Sequence, residues 1–260
     1  MVSESAVFDK SVAGRTIGAS WAAAEAAGHL IAIGQEGQWS TPPVPRPSAW
    51  IKVIRDRNRP CRFQMVMFEH VYQRQRVPAG CELCFKVKVV PRTLRQLMAV
   101  HEIGQQLPYT YKCGLDAPTP VTSGIYGAYF FLDGLPAARE AYVRVREAVN
   151  AHPNLGPEVP VFIKRGCTEF EIHCGPSDQY TFTDETRQIE AQLLPLVHDH
   201  NHRERPESKV HLQQTLLYWI QTAYRLGDQT YLDFTGGRPL YPPVVRYSPE
   251  PAAATTEANK

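Results

Sequence analysis

Residues 84–166 alternate between strand patterns and helical patterns, and this order constrains the fold more than any other feature of the chain. The segment 85–89 (Phe-Lys-Val-Lys-Val) alternates apolar and charged residues, the period of a half-buried strand. Leu94, Leu97 and Met98 then recur at helical spacing, and Pro108 closes that segment. Prolines also mark the other boundaries, because the chain has 22 of them in 260 residues, above the usual ~5%.

The rest of this segment completes the order β-α-β-β-α-β. Strand patterns follow at 109–113, 126–132 and 161–164, with a second helix at about 135–151. That is the connection order of a ferredoxin-like fold, with the expected sheet order 4-1-3-2 when the crossovers are right-handed. We therefore predict an α+β protein with a ferredoxin-like βαββαβ core, extra N-terminal strands from residues 50–68, and C-terminal helices packed on the sheet. A larger antiparallel sheet, in which the strands of 50–68 are equal partners, is the competing interpretation.

The pattern also divides the chain into three regions. Residues 1–48 read as an irregular Pro-rich leader, since four prolines lie within six residues there. Residues 49–247 form a single predicted α+β domain, with its core at about 84–166 and its C-terminal helices at about 184–226. Residues 248–260 are small and polar and predict a disordered tail.

Charge and hydropathy limit the class of partner. The first 30 residues lack the basic start and apolar run of a secretory signal. The longest apolar stretches fall short of the ~20 residues that a membrane helix needs. We expect a soluble, cytoplasmic protein with no membrane partner. The 28 basic and 26 acidic residues leave a net charge of +2, which disfavours a dedicated nucleic-acid binder without excluding one. A protein partner or a homo-oligomer stays open.

The predicted topology separates the six cysteines. Cys81 and Cys84 lie at the entry to the first strand of the core, and Cys167 lies at the exit of the fourth. These strands are neighbours and run antiparallel, so the three thiols are expected at the same end of the sheet. Cys113 falls at the opposite end, and Cys61 is not expected to join them.

Three thiols are one short of the four ligands that Zn²⁺ or an iron–sulfur cluster usually takes. Cys174 and His173 are the candidates for the fourth position. If the fourth strand continues, Cys167, His173 and the glutamates between them share one face by two-residue alternation. We therefore predict a zinc or iron–sulfur site, with these candidate ligands: Cys81, Cys84, Cys167, Cys174 and His173. A redox-active dithiol and buried structural cysteines are the alternatives.

Two carboxylates and an arginine next to Cys167 predict catalysis. Glu169 and Glu171 lie on one face of the expected strand beside Arg165, and paired carboxylates can divide acid and base roles. This Glu-x-Glu segment resembles the pair that helps to activate NAD in mono-ADP-ribosyltransferases. The resemblance covers three residues and implies NAD-dependent ADP-ribosyl transfer as a minor alternative.

The third core strand suggests a binding module instead. Tyr126-Gly-Ala-Tyr-Phe-Phe resembles part of the aromatic motif that RNA-recognition domains carry on the same strand, with Phe85 as its partner on strand one. The resemblance implies that these rings stack on bases. A non-catalytic module for nucleic acid or a protein partner is therefore the alternative to the leading hypothesis, a metal- or iron–sulfur-dependent enzyme or maturation factor.

Overall fold

The computed structural model describes residues 5–34, 37–43, 48–55, 59–116, 119–121, 124–200, 208–243, 245 and 247. Its strands are β1 (Ser11–Val12), β2 (Arg15–Thr16), β3 (Ile31–Ile33), β4 (Gln38–Ser40), β5 (Trp50–Val53), β6 (Cys84–Val89), β7 (Tyr111–Leu115), β8 (Tyr126–Asp133), β9 (Val161–Arg165) and β10 (Val197–His198). Its α-helices are α1 (Ser5–Phe8), α2 (Ile17–Ala26), α3 (Cys61–Val66), α4 (Leu94–Gln106), α5 (Leu135–Ala151), α6 (Thr168–Cys174), α7 (Asp184–Leu193) and α8 (Lys209–Arg225). The predicted tail, 248–260, lies outside the described residues.

The largest sheet has five strands in the order β5-β7-β8-β6-β9, and every neighbouring pair is antiparallel. The elements β6, α4, β7, β8, α5 and β9 follow one another as strand-helix-strand, strand-helix-strand. β5 pairs with β7 and extends this sheet at one edge. The predicted mixed α+β class is therefore confirmed.

Two helices cover one face of this sheet. The apolar stripes of α4 and α5 pack on strand side chains such as Val87, Tyr111 and Phe130, all of them fully buried. Burial of each such side chain is worth about 1.5–3 kcal/mol. α8 joins the same core through Trp219, whose indole N–H donates to the carbonyl of Ala49 at 2.8 Å. This helix therefore packs beside the sheet, as expected for the C-terminal helices.

The other C-terminal helix packs elsewhere. Ile189 and Leu193 of α7 belong to a separate apolar cluster with α1, α2 and the segment 63–72. The expectation that both C-terminal helices pack on the sheet is wrong for α7. The region predicted as an irregular leader supplies much of this cluster. Its aromatic rings pack together, with the Trp21 ring 5.9 Å from the Phe8 ring and 5.7 Å from the Trp39 ring between centroids.

Residues 62–68, predicted as a strand, form a helix. α3 covers Cys61–Val66 and continues as a π-helical turn over Met67–Val71. The buried side chains in one cluster are Phe63, Val66, Met67 and Val71, which recur three and four positions apart, the spacing of a helix. A short apolar run fits either period, so tertiary packing decides the outcome.

The fourth core strand forms at the predicted position but does not continue toward His173. β9 stops at Arg165, Gly166 has φ +69°, and α6 begins at Thr168. Left-handed backbone favours glycine and turns the chain out of the sheet. The buried ring of Phe170 then fixes α6, packing 4.7 Å from the Phe68 ring between centroids.

Within the described residues, the helices lack the combined length and apolar character that crossing a membrane requires.

Candidate thiol and lysine site

The two faces of β6 carry different chemistry. Val87 and Val89 point into the helix-covered core, and Lys86 and Lys88 therefore point to the other face. Lys86 and Lys88 are nevertheless only 5% and 2% exposed. Buried ammonium groups are rare unless they have partners, so this face needs an electrostatic explanation.

Strand register places more lysines and aromatic rings on the same face. Lys86 pairs with Lys164 on one side and Phe131 on the other, and Tyr129 pairs with both Lys88 and Lys112. Residues directly opposite in an antiparallel sheet share a face. This lysine face is therefore defined by the following side chains: Lys86, Lys88, Lys112, Lys164, Tyr129 and Phe131.

Two of these lysines have carboxylate partners. Lys88 Nζ lies 3.1 Å from Asp116 Oδ2, which also accepts a hydrogen bond from the Tyr129 hydroxyl. Lys164 pairs with Glu171 of α6. These pairs compensate two of the four ammonium groups.

Lys86 has a thiol as its partner. Its Nζ donates to the carbonyl oxygen of Gly166 at 2.9 Å and lies 3.4 Å from Cys167 Sγ. Burial acts to lower the pKa of Lys86, but the neighbouring Cys167, Cys84 and Cys61 outweigh it and raise that pKa. Lys86 is thus a cation next to several sulfur atoms.

Four cysteines lie within electrostatic reach of Lys86. Cys61 begins α3, Cys81 ends a 3₁₀ turn over Ala79–Cys81, Cys84 begins β6, and Cys167 precedes α6. The Gly166 N–H donates to the Cys84 carbonyl at 2.8 Å and holds the last two segments together. Cys81 and Cys84 are buried, whereas Cys61 and Cys167 are half-buried. We call these four residues the thiol cluster.

The pKa values show that these thiols influence one another. Burial raises the pKa of Cys61 to about 11, with further increases from Cys167 and Cys84. Burial also raises the pKa of Cys81, and Cys167, Cys84 and Cys61 add to that increase in turn. A metal ligand must be a thiolate, so binding at this cluster releases protons.

The cluster differs from the sequence-based expectation at one position. Cys81, Cys84 and Cys167 pack in one apolar cluster. Cys61, which was expected to lie apart, lies within electrostatic reach of Cys84 and Cys167. The reason is that residues 61–66 form a helix in a region where the sequence predicts strands. Cys113 is remote, since it lies in the helix-covered core with its Sγ 3.6 Å from His101 Nδ1.

Cys174 and His173 have other contacts. Cys174 packs at the margin of the apolar cluster that holds Cys81 and Cys84, and its Sγ lies 3.6 Å from the carbonyl of Arg74. The His173 ring lies 6.0 Å from the Phe68 ring between centroids. The alternation that was to align His173 with Cys167 is absent, because this segment is helical. Their role as ligands stays a prediction, and Cys61 supplies a fourth thiol without them.

The two glutamates do not share a strand face, because both lie on α6. Residues two positions apart on a helix point about 200° apart. Glu171 contacts Lys164, and Glu169 lies within electrostatic reach of Lys112, whose pKa it acts to raise. The strand-borne Glu-x-Glu arrangement implied by the ADP-ribosyltransferase resemblance is therefore wrong.

Arg165 braces the loops around the thiol cluster. Its guanidinium donates to the carbonyls of Glu82 at 2.9 Å and Ser177 at 3.2 Å. It also lies 5.1 Å from the centroid of the Phe182 ring. These contacts tie the Cys81–Cys84 loop to the chain after α6, which is a positioning role.

Lys112 contacts aromatic rings. Its Nζ lies 4.1 Å from the Trp50 ring centroid and 5.1 Å from that of Tyr129. Burial lowers the pKa of Lys112, and the neighbouring Lys86 lowers it further. Clustered cations oppose one another, so the lysine face favours negative charge next to it.

The aromatic platform implied by the RNA-recognition resemblance is not formed as expected. Phe85 pairs with Leu132 and Arg165, whereas Tyr129 and Phe131 pair with Lys88 and Lys86. Phe85 therefore lies on the opposite face from Tyr129. Tyr129 is also only 4% exposed, which leaves little of its ring for a base.

The residues of the thiol cluster and Lys86 are up to 106 positions apart in the sequence, from Cys61 to Cys167. Comparison with known proteins adds no assignment: no protein-family model, no curated protein and no solved structure matches the chain.

Proposed function

We propose that Cys61, Cys81, Cys84 and Cys167 bind an iron–sulfur cluster, and that the protein is a cytoplasmic cluster-dependent enzyme or maturation factor. The convergence of four thiols from four segments of the chain beside a buried lysine carries this proposal. Four cysteine ligands are the usual set for both common cluster types.

Spacing favours a cluster over a single zinc ion. Zinc at ~2.3 Å from each sulfur brings its four thiolates to about 3.8 Å from one another. Among the described residues, no three of these sulfur atoms all lie within 4.8 Å of one another, so they are spaced more widely than a single zinc ion requires. An iron–sulfur cluster contains several metal and sulfide atoms and holds its cysteines farther apart.

Charge also supports a cluster. Four thiolates around a cluster carry net negative charge, and Lys86 lies 3.4 Å from one of the sulfurs. Hydrogen bonds to sulfur and nearby charge tune the potential of such centres. The lysine face then acts as the counter-charge for the centre, which accounts for ammonium groups buried on a sheet.

We further infer that β6, α4, β7, β8, α5 and β9 constitute a ferredoxin-like core. The connection order and the sheet order β7-β8-β6-β9 support this assignment. This topology supports the site directly, because it brings the start of β6 next to the end of β9 and thereby Cys84 next to Cys167.

The lysine face suggests where an anionic substrate binds. Lys112 is half-buried and contacts rings, and Glu169 lies within its electrostatic reach. We assign acid–base chemistry to Glu169, while Glu171 and Arg165 hold the surrounding chain in place. All six cysteines are free thiols, which fits a reducing compartment.

The test is purification without oxygen, followed by iron and sulfide analysis and a visible absorption spectrum. The expected result is a coloured protein containing iron and acid-labile sulfide. C61S, C81S, C84S and C167S each lose most of the iron. C113S and C174S are matched controls, being cysteines outside the thiol cluster, and they keep it.

Three results contradict the proposal. A colourless protein without iron excludes the cluster, and one zinc ion per chain that depends on the same four cysteines replaces it with a single-ion site. Loss of iron in C174S but not in C61S refutes the ligand assignment.

A further inference from the structure

Two histidines and a glutamate that are distant in sequence meet on the surface of the N-terminal part of the chain. Nδ1 of His29 lies 2.8 Å from Nε2 of His70 and 3.2 Å from Oε2 of Glu69. Among the described residues, this is the one group of three metal-ligating side chains whose ligand atoms all lie within 4.8 Å of one another. We call it the His-Glu group.

We propose that His29, Glu69 and His70 bind a divalent transition-metal ion, with Zn²⁺ as the reference ion. A tetrahedral zinc ion at ~2.0–2.1 Å from each ligand atom places those atoms about 3.3–3.4 Å apart. The separations of 2.8 and 3.2 Å are within about 0.6 Å of that geometry. The third separation, between Glu69 and His70, is within 4.8 Å, so side-chain adjustments can bring the three ligand atoms around one ion.

Hydrogen bonds alone cannot satisfy all three of these side chains. Nδ1 of a neutral His29 offers one proton or one lone pair, yet both His70 and Glu69 approach it. A single hydrogen bond satisfies one of these partners. An ion placed between the three atoms interacts favourably with all of them.

The fold holds the ligands on two anchored segments. Glu69 and His70 are consecutive in the π-helical turn, which the buried side chains of Met67 and Val71 fix to the core. π-Helical turns recur at functional sites because the wider turn redirects side chains. His29 lies just after α2, where its N–H donates to the carbonyl of Ala24 at 2.9 Å.

The surroundings leave one coordination position open. The side chain of His29 is 47% exposed, so water can complete the coordination of an ion held by three protein ligands. Arg74 Nη2 lies 3.8 Å from Oε1 of Glu69, the oxygen that does not approach His29. Arg74 therefore orients the carboxylate, but its charge weakens cation binding.

This site shares no residue with the thiol cluster, and spectroscopy can separate the two. Thiolate ligands give Co²⁺ intense charge-transfer absorption in the near ultraviolet, whereas imidazole and carboxylate ligands do not. The full-length protein is titrated with Co²⁺ by absorption and with Zn²⁺ by calorimetry, for the unchanged chain and for H29A, H70A and E69Q.

At the His-Glu group, the unchanged protein is expected to bind one equivalent of Co²⁺ without thiolate charge transfer, whereas any ion taken up by the thiol cluster shows that absorption. Mutating a residue that only hydrogen-bonds to a metal ligand typically costs ~10–100-fold in metal affinity. Removing a ligand itself should therefore weaken metal binding by at least about tenfold. H152A is the matched control, because it removes a histidine that pairs with a carboxylate, Glu102, at 3.3 Å and lies outside the His-Glu group. C61S should also retain this equivalent, since the thiol cluster is separate.

Equal stoichiometry and affinity in the unchanged protein, H29A and H70A overturn the proposal. R74A keeps the test decisive if a histidine variant misfolds, as judged by circular dichroism. Removal of that cation should tighten Zn²⁺ binding, and unchanged or weaker binding in folded R74A contradicts the site.

Discussion

Glu190 on α7 anchors the turn that presents Cys81, and its removal should destabilise the protein strongly. The carboxylate is 5% exposed and accepts three hydrogen bonds. Oε1 accepts from the Tyr72 hydroxyl at 2.9 Å and from the Ala79 N–H at 2.6 Å, and Oε2 accepts from the Gly80 N–H at 2.8 Å. One side chain thus connects the π-helical region with the 3₁₀ turn.

The expected loss follows from the number of donors left unpaired. Each buried donor without a partner costs ~1–3 kcal/mol, and three are released in E190A. The variant also removes a carboxylate whose burial is unfavourable, so the net loss should be about 3–5 kcal/mol. Y72F removes only one bond to a charged group and should cost about 1.5–3 kcal/mol.

Urea unfolding measures the stability of both variants, provided that their denaturant slopes are equal. E147A, on the exposed surface of α5, is the control. E190A should also lower the iron content, because it frees the turn that ends at Cys81, while Y72F leaves that turn held. An E190A loss no larger than that of Y72F, with normal iron content, refutes the assignment of Glu190 as the anchor.

Titration of Glu190 gives an independent check. Burial raises the pKa of Glu190 above its ordinary value of 4.5, and hydrogen bonds from Gly80, Ala79 and Tyr72 offset only part of the increase. The folded state therefore binds this proton more tightly than the unfolded state. Stability should fall as the pH rises from 4.5 through the raised pKa, and E190Q should lack this component. An identical pH dependence of stability in the unchanged protein and in E190Q contradicts this prediction.

Three further predictions concern other buried polar groups. D228A should lower the free energy of unfolding in urea by about 2–4 kcal/mol, because Asp228 accepts hydrogen bonds from the Leu94 N–H at 2.6 Å and the Tyr126 hydroxyl at 2.9 Å. D233A, at an exposed position, should leave the unfolding midpoint unchanged. Equal shifts of the midpoint in the two variants refute this prediction. Y129F should cost about 1.5–3 kcal/mol through loss of its bond to a carboxylate, and a neutral result shows that water replaces that bond. Burial lowers the pKa of His101 below its ordinary 6.5, so the melting temperature should fall as the pH drops below 6.5, and H101Q should reduce that slope; an unchanged slope excludes His101 as the cause.

The central elements were predictable because their local patterns are unambiguous. The alternation in 85–89 fits only a strand, and β6 covers Cys84–Val89. The helical stripe beginning at Leu94 fits only a helix, and α4 covers Leu94–Gln106. Where apolar residues are dense and short, as in 62–68, both periods fit and local sequence does not decide.

The candidate site was predictable only in part, since it depends on which segments pack together. Strand order alone is enough to place Cys84 near Cys167. Cys61 reaches the same place through α3, whose position depends on the apolar cluster around Phe63 and Val66. The meeting of His29 and His70 is not predictable from the sequence for the same reason: it depends on α2 packing against the π-helical turn, which no local pattern encodes.

Lys86 distinguishes a filled thiol cluster from four unligated cysteines, because the sign of its contribution differs between the two cases. Its position in the sequence, between Phe85 and Val87, is that of a solvent-facing strand residue, yet the ammonium is buried against Cys167. An unpaired buried charge is unfavourable, so replacing it by an apolar side chain of similar volume is neutral or stabilising, whereas removing one partner of a buried charge pair costs ~3–5 kcal/mol. K86M should therefore leave the metal-free protein as stable as the unchanged chain, or more stable, after allowing for the lost bond to Gly166.

The anaerobically purified protein should behave in the opposite way, losing about 3–5 kcal/mol in K86M because the negative centre loses its counter-charge. The reduction potential should also fall, since an ammonium next to the sulfurs favours the more negative, reduced form. K88M is the comparison, since Lys88 pairs with Asp116 instead of a thiol. Its substitution should cost stability whether or not metal is bound, because it leaves that carboxylate without its counter-ion. If K86M has the same effect with and without metal, the centre beside Cys167 carries no charge, and the cluster proposed there is wrong.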